Sequence, residues 1–225
     1  MSIAKHGIRT VALAMSVVSL LTSASALACG GEWYPELQID PRIHGVAEAE
    51  RSMAKGDYVA AAGAVVRMMP HIKTLEAKSD PLVARAERVL AVSIARSNGK
   101  LGLEQEVPSE YLGHWLGKTR KEQDQSLAWS VSTLRSELTL KKDDPSLQTD
   151  LGEALSKLDA GKDEAHALLE SLAARDLVAT PQGYRALAEL RLQKGDEAGQ
   201  QLAMKRCESM AATSKVCESG APRAS

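Results

Sequence analysis

The stretch "LQTDLGEALSKL", residues 147–158, decides the fold class of this protein. Its apolar residues recur at offsets of 0, 4, 7, 8 and 11, which is the spacing of one face of an α-helix rather than of a strand. The segment 165–172, "AHALLESL", repeats this stripe. The sequence therefore predicts two amphipathic helices joined near Gly161, a glycine able to adopt the left-handed conformation that closes a helix.

Similar signals for the turns and starts of helices recur along the chain. Gly56, Gly99 and Gly195 each precede or follow a segment with helical apolar spacing, so they are predicted to mark turns between helices. Three positions combine a capping residue with a proline that suits the first helical position. These predicted helix starts are Asp80-Pro81, Asp144-Pro145 and Thr180-Pro181.

The spacing of these signals indicates an internal repeat. Pro145 and Pro181 are 36 residues apart, and Gly161 and Gly195 are 34 apart. A period of about 34 residues is typical of one family of helix-turn-helix repeats. A unit of this kind cannot bury its apolar stripe alone and has to pack against its neighbours.

The segment "YRALAELRLQKGDEA", residues 184–198, matches the tetratricopeptide repeat at its aromatic, leucine, small-residue and turn positions. The matching residues are Tyr184, Leu187, Ala188, Gly195, Asp196 and Ala198, whereas Arg191 stands where the family has an aromatic. Two further segments match in part, with Leu151, Gly152 and Ala165 in one and Gly56, Asp57, Tyr58 and Ala61 in the other. The chain thus resembles the tetratricopeptide repeat family.

This resemblance implies an all-α fold, a solenoid of antiparallel helix pairs. It also implies a non-catalytic interaction scaffold or assembly factor, which binds a partner protein or peptide on a concave surface. The expected division of the chain is a signal peptide at 1–28, an extended segment at 29–40, a first helix-pair region at 41–106, an irregular connection at 107–120, a second, tetratricopeptide-like region at 121–212, and a C-terminal tail at 213–225.

The first 28 residues have the pattern of a cleaved secretory signal peptide. Lys5 and Arg9 precede an apolar run at 11–21, and the segment ends in Ala26-Leu27-Ala28. This run is much shorter than the roughly twenty residues that a membrane-spanning helix needs. We therefore expect an exported protein, periplasmic or associated with the bacterial cell envelope.

Cys29 would be the first residue of the mature chain, the position at which bacterial lipoproteins carry their acyl chains. Ala26 occupies the place where lipoprotein processing usually has leucine, so two outcomes stay open. The protein is released after cleavage, or Cys29 is acylated and anchors it to a membrane, which would make it an outer-membrane lipoprotein. A membrane is expected as a partner only in the second case.

Two other cysteines, Cys207 and Cys217, are close enough in sequence to form a disulfide that closes a short loop. Disulfides persist in the compartments beyond the inner membrane, which is consistent with the predicted export. The remaining thiol of Cys29 leaves open acylation, an intermolecular bond or a thiol-dependent enzyme or redox helper. The neighbours of Cys29, Gly30 to Glu32, offer no cation to activate it.

Charge and motifs exclude several classes of function. Loss of residues 1–28 removes Lys5 and Arg9 and no acidic residue, which moves the net charge from −1 to −3 and disfavours a nucleic-acid partner. The histidines lack the i, i+4 pairing that would place two imidazoles on one helix face for a metal. We therefore predict no catalytic residue, no cofactor and no metal.

Aromatic residues are the remaining candidates for partner binding, because they are scarce and phenylalanine is absent. Tryptophan and tyrosine are favoured anchors at protein interfaces, although they could equally fill gaps between imperfect repeats. The candidate residues are Trp33, Tyr34, Tyr111, Trp115 and Trp129. A cell-wall glycan is an alternative ligand for exposed aromatics in this compartment.

Overall fold

The computed structural model describes residues 40–72, 80–103 and 117–218, and these ranges contain α-helices and short 3-10 turns but no strand. The all-α prediction is therefore confirmed for the described part of the chain. The helices are α1 (Pro41–Ala54), α2 (Tyr58–Met68), α3 (Pro81–Arg96), α4 (Arg120–Leu140), α5 (Pro145–Leu155), α6 (Lys162–Ala173), α7 (Pro181–Gln193) and α8 (Glu197–Met210). The 3-10 turns are Asp159–Gly161 and Ser214–Val216.

The predicted helix starts are confirmed, and side-chain caps explain them. Asp80, Asp144 and Thr180 each accept a hydrogen bond from a backbone N–H of the first turn, at 2.9, 2.9 and 3.0 Å. Asp40, before Pro41, caps α1 in the same way. The side-chain oxygen satisfies an N–H that has no partner inside the helix, while proline has no N–H to satisfy.

Glycines close the turns by two different physical means. Gly56, Gly99 and Gly195 have φ values of +79°, +78° and +80°, the left-handed conformation that glycine adopts without steric cost. The same expectation for Gly161 is wrong, because its φ is −95°. A Cβ at Gly161 would lie 2.6 Å from the carbonyl oxygen of Leu155, so a close backbone approach requires glycine there.

The helices pack in chain order as four pairs, α1 with α2, α3 with α4, α5 with α6 and α7 with α8. Each odd-numbered helix also contacts the next odd-numbered one, so that α1, α3, α5 and α7 form a row. The stripes of both members of each pair supply the apolar core between them. At Gly152, a Cβ would lie 2.7 Å from Cγ of Leu169, so the glycine lets α5 approach α6 closely.

The repeat pattern predicts a small residue in the second helix of a pair, and the structure buries two of the three residues at these positions. Ala61 and Ala165 are fully buried, in agreement with the repeat pattern. Ala198 is exposed, and the buried residues of α8 are Ala203 and Cys207. Five residues separate 198 from 203, which turns the side chain about 140° around the helix axis and explains why Ala198 misses the core.

Candidate binding site

Four charged side chains on α3 and α5 form an ion network that is largely withdrawn from solvent. Nε of Arg96 lies 2.9 Å from Oε2 of Glu153, and Nη2 of Arg88 lies 2.7 Å from Oδ2 of Asp150. The side chains of Asp150, Glu153 and Arg96 are 5%, 3% and 10% exposed. Two guanidinium groups and two carboxylates balance, so the network is neutral when both acids are ionised.

Burial makes the charges of this network depend on one another. The pKa of Asp150 is raised to about 6: burial is the largest cause and the neighbouring carboxylate of Glu153 adds to it, while Arg88 and Arg96 oppose the increase. Burial alone would lower the pKa of Arg96, but the carboxylates of Glu153 and Asp150 outweigh that effect and raise it above the ordinary value. Removing one member therefore leaves a charge without compensation in a poorly hydrated place.

The network continues to the helices on either side of α3 and α5. The guanidinium of Arg96 lies 5.7 Å from the ring centroid of Tyr58, the first residue of α2. The side-chain amide of Gln182, in α7, donates a hydrogen bond of 3.0 Å to the hydroxyl oxygen of Tyr58. The hydroxyl of Thr180, the cap of α7, donates to Glu153. These contacts connect the first and the last helix pairs.

A cavity of about 320 Å³ opens where these elements meet. The turn between α1 and α2, the end of α3, the first turn of α7 and the segment after α8 line it. Four of its lining residues are cationic, and none of the described lining residues is Asp or Glu. The cations are Lys55, Arg96, Arg185 and Lys215.

The predicted disulfide holds one wall of this cavity. Cys207 of α8 and Cys217 are bonded, with their Cα atoms 5.9 Å apart, and both side chains are buried. The bond folds the segment 211–216 back toward α7, where the carbonyl oxygen of Val216 accepts a hydrogen bond of 3.2 Å from Nη1 of Arg185. Residues 212, 213, 215 and 216 belong to the cavity lining.

Glu137 of α4 is a further half-buried acid beside the network. Its Oε1 atom is inaccessible and has no hydrogen-bond partner within the described residues. The pKa of Glu137 is raised to about 7: burial is the largest cause, Arg88 opposes the increase and the Glu87 carboxylate adds to it. The folded protein therefore takes up a proton here at a pH at which the unfolded chain is ionised.

Glu137→Gln is expected to stabilise the protein at pH 8 by about 1 kcal/mol, a value discounted for partial exposure. Because the folded-state pKa is raised, the contribution of Glu137 is fully present below about pH 4.5 and is lost as the pH rises through about 7. Urea unfolding at pH 5 and pH 8 measures the difference. Glu208→Gln, at an exposed position of α8, is the control, and an equal gain in both variants would contradict the prediction.

The structure describes one of the five aromatic candidates for partner binding. Trp129 of α4 is half-buried and packs against both apolar clusters of the core, as a residue that fills a gap between helices would. Trp33, Tyr34, Tyr111 and Trp115 lie outside the described residues, as does Cys29.

Sequence reasoning missed the polar residues of the network and the cavity. Asp150 and Glu153 directly precede Leu151 and Ala154 of the apolar stripe, so they lie at its boundary. Arg88 and Arg96 are eight residues apart, which places them on a similar side of α3. This boundary position is a signal available in the sequence, but it does not identify the partners, which are 57 to 62 residues away.

Within the described residues, no three His, Cys, Asp or Glu side chains are grouped to hold a metal ion. None of the described helices has the length and apolar character needed to cross a membrane.

Fold and site together define a class: an all-α protein of consecutive helix pairs with a buried polar network between its odd-numbered helices. Comparison with models of protein families gives no match, and neither curated proteins nor solved structures give a significant match to this chain.

Proposed function

We propose that this protein is an exported, non-catalytic interaction scaffold of the bacterial cell envelope. In this proposal the helix pairs form a tetratricopeptide-like solenoid, and the row of odd-numbered helices presents the surface that binds a partner protein or peptide. Extended faces made by repeated helix pairs suit the recognition of polypeptide chains.

The contact pattern of the helices is the observation that carries the proposal. α1, α3, α5 and α7 contact one another in succession, so the first helices of all four pairs share one layer. Ion pairs join neighbours along this row: Glu50 with Arg85 between α1 and α3, Arg96 with Glu153 between α3 and α5. The exposed pair of Glu50 and Arg85 offers polar groups to a partner, whereas the buried pair of Arg96 and Glu153 holds the row together.

The Cys207–Cys217 disulfide supports the proposed location. Disulfides are stable in oxidising compartments and rare in the cytosol of most bacteria. The signal-like pattern at 1–28, an independent part of the chain, supports the same proposal.

A photo-crosslinking amino acid placed at position 85 or at position 135 tests which layer binds the partner. Arg85 is 58% exposed and pairs with Glu50 within the odd-numbered row. Arg135 is 51% exposed and pairs with Glu164 between α4 and α6, in the even-numbered helices. The two positions are thus matched in residue type, exposure and environment.

Irradiation of intact cells is expected to give a specific adduct with an envelope protein from position 85 and much less from position 135. The adduct is measured by its mass after affinity purification of the mature chain. Adducts from position 135 alone, or from neither position, would contradict the proposed binding surface.

A further inference from the structure

We infer that the cavity between the two ends of the helix array is a binding site for a small anionic molecule that carries two or more negative charges. This site is distinct from the partner-binding surface proposed above. It rests on the charges, hydrogen-bond donors and size of the cavity.

The cavity has a surplus of positive charge. Lys55 and Lys215 are exposed there, and neither has an ion-pair partner among the residues that the structure describes. Arg185 is paired with the carboxylate of Glu189, at 3.5 Å. Since the network of Arg96 is neutral, the surplus among the lining residues is the charge of the two lysines, in a protein of negative net charge.

Two acidic residues near the cavity, Asp57 and Glu153, contact groups other than the lysines of the cavity. Asp57 precedes Tyr58 in sequence, but its carboxylate accepts a hydrogen bond of 3.0 Å from the backbone N–H of Ala60, as the cap of α2. Glu153 binds Arg96 and Thr180. Neither Asp57 nor Glu153 lines the cavity, and neither forms an ion pair with Lys55 or Lys215.

The hydrogen-bond donors also suit an anion. The hydroxyl oxygen of Tyr58 accepts from Gln182, so its own proton is free to be donated toward a ligand. Arg185 is already engaged, since its Nε lies 3.5 Å from Oε1 of Glu189 and its Nη1 donates to the carbonyl oxygen of Val216. The hydroxyl of Tyr58 and the ammonium groups of Lys55 and Lys215 form a donor set that carboxylate and phosphate oxygens would satisfy.

The dimensions favour a small molecule over a peptide segment. The volume of the cavity is about 320 Å³. It lies at the small end of the range for small-molecule sites. The disulfide-held residues 212, 213, 215 and 216 line it together with Tyr58 and Gln182, which are joined by a hydrogen bond.

The test measures binding of citrate and of inorganic pyrophosphate to the mature chain with its disulfide intact, at constant ionic strength, by isothermal titration calorimetry. Lys55→Gln with Lys215→Gln removes the two unpaired charges of the cavity. Lys121→Gln with Lys142→Gln removes the same net charge from exposed positions elsewhere and is the matched control. Thermal unfolding verifies that both double variants fold.

We expect saturable binding of at least one of the two anions at one site per chain. The affinity should fall about tenfold or more in the cavity variant and by much less in the control, because a hydrogen bond to a charged group is worth one to two powers of ten. The two probes distinguish a carboxylate ligand from a phosphate ligand.

Absence of saturable binding, or an equal loss in both double variants, would overturn the inference. Binding of a hexaglutamate peptide without either small anion would also overturn it and would assign the cavity to an acidic segment of a protein. The crosslinking comparison of positions 85 and 135 does not depend on these results, so failure of this inference and failure of the proposed scaffold are distinguishable.

Discussion

Arg96→Ala is expected to lower the free energy of unfolding by about 3–5 kcal/mol, because it leaves two carboxylates in a buried place with one partly exposed arginine. Asp150 and Glu153 are 5% and 3% exposed, and Arg88 bonds only the first of them directly. Arg96 also packs against the ring of Tyr58, which would lose this contact. Urea unfolding of the oxidised protein at pH 7 measures the loss.

The matched control for this prediction is Arg85→Ala on the same helix. Arg85 binds Glu50 at 2.7 Å, but both side chains are well exposed, at 58% and 40%. Exposed pairs contribute about 0–1 kcal/mol, so the control should be nearly neutral. A loss at Arg96 no larger than that at Arg85 would refute the view that burial makes this network costly to break.

The cost of Arg96→Ala should also depend on pH in a defined direction. Removal of the arginine takes away a group that lowers the pKa of Asp150, so the folded-state pKa rises further above the unfolded value. The variant then loses stability relative to the parent as the pH rises from about 5 to 8, because Asp150 ionises at about 6 in the folded parent and at a higher pH in the folded variant. A difference that is constant over this range would show that lost packing, and not unpaired charge, explains the effect.

Cys207→Ser with Cys217→Ser is expected to cost about 3 kcal/mol, because the bond restricts the unfolded chain over a loop of ten residues. The loss should be visible in urea unfolding. Hydrogen exchange of the segment 211–218 should accelerate, since the bond holds this segment against α7. We also expect weaker citrate or pyrophosphate binding, because Lys215 belongs to the same segment.

Reduction of the parent protein provides the control for this second prediction. Dithiothreitol should reproduce the loss in the parent and leave the double variant unchanged. A loss below 1 kcal/mol would mean that the packing of Val216 and its hydrogen bond from Arg185 hold the segment without the disulfide.

Local features of the fold could be read from the sequence because their physical causes are local. A cap such as Asp144 bonds the N–H groups of the two residues that follow Pro145, so the four-residue segment 144–147 itself contains the interaction. Glycine is favoured at position 195 by the local backbone alone, because φ there is +80°. Gly161 was misjudged because its requirement for glycine comes from the carbonyl of Leu155, an approach that only the 3-10 turn creates.

Small residues of the sequence pattern lie at helix contacts where the predicted register was maintained. Gly152 and Ala165 lie where α5 and α6 come together, whereas Ala198 lies in a turn of α8 that faces solvent. Arg191, which departs from the family pattern, binds Glu170 at 2.6 Å and so connects α7 to α6. Register within a helix is decided by packing, which the pattern alone does not specify.

The sequence by itself determined the helices, their starts, most of their turns and the disulfide, since each depends on interactions within about ten residues. Only the tertiary structure decided that Arg96 meets Glu153, that Tyr58 meets Gln182, and that four segments enclose a cationic cavity. Charged residues on an amphipathic helix are solvated by default. Their burial and pairing depend on which helices become neighbours, a choice made by the apolar stripes and not by the charges themselves.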